Sequence, residues 1–171
     1  MADQTSQHDH DRHAAHARLI ARLRQQADEV RRMTSGLDER ALATRTVAGK
    51  WSLKELAAHL ARVQQVFGRR IEAMLEHDNP AVAGYEPEGD REFDSLVARP
   101  AAEVLQAFFS GRDWLIQRLD GLSAAQWHRT GRHPEFERYD VHFQVEYMIH
   151  HEAHHLYQMF ERRAPLGKMP H

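Results

Sequence analysis

Four histidines crowd into the stretch His150-His151-Glu152-Ala153-His154-His155, and two registers within it, His150/His154 and His151/His155, have the His-x-x-x-His spacing. On a helix, residues four apart share a face and stand about 6 Å apart along the axis, so either pair could hold a divalent transition metal. Only one register can serve a single ion. Imidazole coordination also needs at least a third ligand, so a further histidine is expected on a distant helix packed alongside. The chain has no cysteine, which excludes thiolate metal sites, a cysteine nucleophile and disulfides within it, and leaves His, Asp and Glu as ligands.

The elements that must position these residues read as helices. Leu19, Ile20, Leu23, Ala27, Val30 and Met33 recur at three and four, predicting a first helix over about 16–35 that Gly36 ends. Residues 37–50 read as a loop. Ser52 and Glu55 then form a Ser-x-x-Glu capping box at the start of a second long helix, whose apolar stripe runs through Leu56, Leu60, Val63, Phe67, Ile71 and Met74. His59 falls at the edge of that stripe and is expected to be at least half buried. An acidic Pro/Gly-rich loop, 78–90, and a short turn over 91–98 lead to a third helix that Pro100 opens and Gly121 closes, with Gly111 weakening its middle. Ser123 and Gln126 offer a second capping box, 130–136 is a loop, and Asp140 caps a last helix from Val141 to about Arg162. No alternating β-branched run appears, so the fold class is all-α, a four-helix bundle.

At 100° per residue, Val145, Ile149, Ala153, Leu156 and Phe160 define the buried face of the last helix, flanked by Met148 and Met159. His155 lies near that flank and His151 slightly further round, while His150 and His154 lie on the far side. Periodicity therefore favours His151/His155 as the inward register. The bland alternative is a stacked pair of polar side chains on a helix flank.

Two motifs, Trp51-Ser52-x-x-Glu55-x-x-x-His59-Leu60 and His151-Glu152-x-x-His155-x-x-Gln158, together with the loop Arg132-His133-Pro134, resemble the DinB-like (DinB/YfiT) superfamily of four-helix-bundle metalloproteins over roughly residues 16 to 163. The resemblance implies that His59, His151 and His155 bind one divalent transition metal, Zn, Ni or Fe, with open positions for water or substrate. It also implies a metal-dependent enzyme acting on a small molecule, either a hydrolase or a thiol S-transferase using a low-molecular-weight thiol cosubstrate. Many relatives have Gly where Tyr157 stands, so Tyr157 is expected to narrow the site or add a phenol. Gln158, one turn beyond His155, either supports a ligand or contacts an adjacent helix. Glu152 is the candidate catalytic residue, placed to orient an imidazole or accept a proton. Glu55 reads as the capping partner of Ser52 rather than a base.

The chain of 171 residues fits one domain, read as a flexible segment 1–15 carrying His8, His10 and His13, a bundle over 16–165 and a flexible tail 166–171. A formal charge of −2 gives no general case for nucleic acid, and no apolar run of membrane-spanning length or secretory leader is present, so a cytoplasmic location is expected. A homodimer is the expected assembly. The competing reading, from a different class, is a non-catalytic stress-response bundle, or dimeric binding protein, that the metal stabilises.

Overall fold

The computed structural model describes the backbone of residues 2–170 and the side chains of residues 14–170, so the expectation for His8, His10 and His13 lies outside the described residues. Four long helices dominate: α1 (Ala2–Thr34), α3 (Leu53–Glu76), α5 (Ala101–Asp120) and α7 (Val141–Arg163). Three short ones, α2 (Glu39–Ala43), α4 (Arg91–Val97) and α6 (Ala124–Trp127), punctuate the connections. Among the described residues there is no β-strand, only two isolated bridges, and no helix is long and apolar enough to cross a membrane.

Local chemistry accounts for the helix ends. Gly36 just beyond α1 adopts φ 73°, the left-handed region where a Cβ is costly. The capping box forms in full at the head of α3: Glu55 N–H donates to Ser52 Oγ at 3.2 Å and Ser52 N–H to Glu55 Oε2 at 2.8 Å. Asp140 caps α7 by accepting from Phe143 N–H at 2.7 Å. The segment expected to be a plain loop, 37–50, contains α2, because Asp38 caps it by accepting from Ala41 N–H and its Leu42 is buried against the core. A five-residue helix has too few positions for periodicity to register.

In the bundle α3 packs against α5 and α7, and α1 packs against the same two, so α1 and α3 stand at opposite corners. Of the consecutive long helices only α3 and α5 are neighbours, while α1 and α3, like α5 and α7, stand across the diagonal, unlike the simple up-and-down arrangement. The apolar core divides into two lengthwise halves, one around Leu56, Phe108 and Met159, the other around Leu23, Ile71, Leu115 and Met148. Between them lies a buried polar node. Arg112 of α5, 1% exposed, donates to Gln64 Oε1 of α3 at 2.6 Å, to the Leu23 carbonyl of α1 at 2.6 Å, and with both terminal nitrogens to Glu152 of α7. One guanidinium thus joins all four corners. Gly111, which sequence alone marks as a weak point, faces the Gln64 side chain of α3: an added Cβ would lie 2.6 Å from Gln64 Nε2.

Candidate metal centre

The capping box fixes where α3 begins, and two turns later His59 emerges on the side facing α7. His151 and His155 emerge one turn apart on α7, and one nitrogen from each of the three imidazoles lies within 4.8 Å of the other two. Ring centroids are 4.5 Å apart for His59/His155 and His151/His155 and 5.3 Å for His59/His151. His150 and His154 are on the exposed side of α7.

The protonation state suits ligation. Burial, with the neighbouring His155 and His151, lowers the His59 pKa to about 3, and burial with His155 and His154 lowers that of His151 to about 4. Burial also lowers His155, opposed by its hydrogen bond with Gln158. Near neutrality all three are uncharged and offer lone pairs. Gln158 Oε1 sits 2.8 Å from His155 Nδ1 and fixes that nitrogen as the donor, which turns Nε2 inward to 3.2 Å from His151 Nε2. Two nitrogens each about 2.0–2.1 Å from a tetrahedral ion would stand about 3.3 Å apart, so this pair is already at ligand separation. His59 Nδ1 is buried without a hydrogen-bond partner. Such an orphan costs about 1–3 kcal/mol unless something completes it. The donor set therefore fits one divalent ion held by three imidazoles.

A family model described as the DinB superfamily matches residues 14–159. The chain belongs to the DinB superfamily. Among solved structures it is similar to YfiT from Bacillus subtilis, described as a probable metal-dependent hydrolase with an unusual four-helix bundle topology, with TM-score 0.76 over 89% of this chain and 87% of that one. At 18% identity that likeness establishes the fold alone. No curated relative matches.

Within this DinB-superfamily bundle the remaining expected site residues separate. Gln158 is at the centre, joining His155 to His154, whose Nε2 is 3.0 Å from Gln158 Nε2. Glu152 is 2% exposed with both carboxylate oxygens clamped by Arg112, in the polar node rather than on the imidazoles. Tyr157 is 64% exposed and lines a groove between α1 and α7 with Gln26 and Met33, so its phenol does not narrow the ligand cluster. Glu55 is the capping partner and also pairs with Arg45.

The surroundings of the cluster come largely from residues the sequence did not single out. Trp51 and Phe93 wall His59, with ring centroids 5.0 and 6.0 Å away. A cavity of about 250 Å³ opens beside His151, lined by Phe67, Arg70, Tyr85, His133 and Tyr147 among others. Its walls are α3, α7 and the two long loops, which are tied together where Val82 N–H donates to the Arg132 carbonyl at 2.9 Å and Arg132 N–H to that of Pro80 at 2.8 Å. Burial and the Asp90 carboxylate raise the Tyr85 pKa, so its phenol stays protonated. Asp90 is in turn held by Arg62 at 2.6 Å. Loop residues carry no periodic signal, so nothing in the linear sequence could bring Tyr85 to the histidines, and Arg70, although on α3, meets them only through the loops and α7 that close the cavity.

Proposed function

We propose that the chain is a metal-dependent enzyme of hydrolytic type acting on a small molecule, with His59, His151 and His155 as the metal ligands. The observation that carries the reading is three neutral, converging imidazoles next to a cavity of small-molecule size. A divalent ion there would lower the pKa of water or a thiol and polarise an electrophile. The chain's own residues supply the rest. Gln158 holds His155 in the tautomer that presents Nε2, Trp51 and Phe93 keep bulk water from His59, and Tyr85, its phenol engaged by Asp90, forms part of the cavity wall. Water as the nucleophile makes the activity a hydrolase; a low-molecular-weight thiol makes it an S-transferase.

The test is metal content of untagged protein by elemental analysis, followed by turnover of small ester, amide and thiol-plus-electrophile panels with and without a chelator. The proposal expects one ion per chain, lost in His59→Ala, and chelator-sensitive turnover. No stoichiometric metal would sink it. The second reading, a non-catalytic bundle stabilised by its ion, draws support from Glu152 being committed to Arg112, which leaves the cluster without that carboxylate as a base. It expects chelation to lower the melting temperature while every panel stays silent.

A further inference from the structure

Arg70 lies on α3 three turns beyond His59 and is 6% exposed. Its Nη2 donates to the Ala83 carbonyl at 2.5 Å, its Nη1 reaches Gln144 Oε1 at 3.5 Å, and its guanidinium carbon stands 5.0 Å over the Phe67 ring. Both polar partners are uncharged, and among the described residues Arg70 forms no ion pair. Buried cations normally have a carboxylate partner or a substitute. Arg62 has Asp90 and Arg112 has Glu152. Arg163, also buried without a carboxylate partner, ends α7, where the Gly167 and Lys168 carbonyls receive it. Arg70 instead lines the cavity that His151 shares.

We infer that Arg70 is the receptor for an oxyanion group of the substrate, a carboxylate or phosphate, in the cavity that it shares with His151, one member of the three-histidine cluster. This assignment rests on the enzymatic reading of that site and specifies the class of molecule it takes. Gln144, which the guanidinium approaches, stands two turns before His151 on α7, a rise of about 10 Å. The substrate is therefore an elongated small molecule whose charge is several bonds from the bond that reacts. Tyr139 donates to the same Gln144 oxygen, which holds the amide in place beside the guanidinium. Glu86 and Glu135, the carboxylates lining the cavity, are exposed and form its rim, which favours a single small anion over a polyanion.

The experiment is a titration of chelator-treated and metal-loaded protein with acetate, inorganic phosphate and, as neutral control, acetamide. It follows the guanidinium resonances of Arg70 by NMR and affinity by calorimetry, with metal content measured on the same samples. A saturable Arg70 shift with acetate or phosphate but not acetamide is expected in both protein forms and in His59→Ala; which anion binds tighter separates the two chemistries. Arg70→Gln should weaken binding by at least about thirtyfold, whereas Arg70→Lys, which keeps the buried charge but loses the planar fork that bonds Ala83 and stacks on Phe67, should weaken it less than Arg70→Gln. If Arg70→Gln does not fold, the wild-type resonance titration and Arg70→Lys decide. Anion binding that survives Arg70→Gln, or that disappears with the metal, would place the anion elsewhere and overturn the assignment. Absent metal with an intact Arg70 titration would instead remove the enzymatic reading and leave the anion site standing.

Discussion

At the scale of residues, the site is a set of imidazoles kept neutral and pre-aimed. Gln158→Ala should weaken metal affinity by about 10–100-fold through loss of the His155 tautomer, while leaving the fold unchanged by circular dichroism. Undiminished affinity would show that Gln158 serves only the helix surface. Acid should act on the same residues. His59 and His151 have folded pKa values of about 3 and about 4, below the ordinary 6.5 of the unfolded chain, so the unfolded state takes up more protons as pH falls through that interval. Stability of the metal-free protein should thus be insensitive to these groups above about pH 6.5 and decline below it, by up to about 1.4 kcal/mol per pH unit for each histidine. Urea unfolding of chelator-treated protein at pH 7.5, 6 and 5 checks this, with His59→Gln expected to flatten the slope. An identical slope in that variant would contradict it.

At the scale of elements, the capping signals and periodic stripes give α3, α5, α7 and the C-terminal end of α1, which begins at Ala2 rather than near residue 16, and helical angles favour the inward histidine pair. This worked because Ser52, Asp140 and the Leu/Val/Ile stripes act through local hydrogen bonds and a period of 3.6. What stayed illegible depends on contacts between elements. Glu152 reads as a candidate for chemistry in the sequence because helical angle alone cannot show that Arg112 of another helix clamps it. Tyr157, one position from Gln158, points out into the α1/α7 groove. Gly111 read as a weakness, although its missing Cβ is what admits Gln64. Gly111→Ala gains about 1 kcal/mol of helix propensity in isolation, yet Gln64 is held by the Phe108 carbonyl and Arg112 and cannot retreat. A net destabilisation of about 1–3 kcal/mol is expected by denaturant melts, and a stabilised variant would refute the close-approach argument.

At the scale of the whole molecule, the Arg112 node is where four helices agree on their register. Removing one partner leaves a buried unpaired charge, so Glu152→Ala should lose about 3–5 kcal/mol of stability, the penalty expected when such a pair is broken. Where that variant still folds, its metal content should remain at the wild-type level; a stable, metal-free Glu152→Ala protein would instead return Glu152 to the imidazoles. The corner arrangement of the helices has a consequence for how the chain is made. α1 binds mainly α5 and α7, down to Gln26 donating to the Ile149 carbonyl across 123 residues of sequence. During synthesis α1 and α3 therefore leave the ribosome before the helices they pack against, and His59 waits exposed until α7 follows. Until α7 has emerged the chain lacks His151 and His155, so an ion that needs all three imidazoles can be captured only once the fourth long helix is in place.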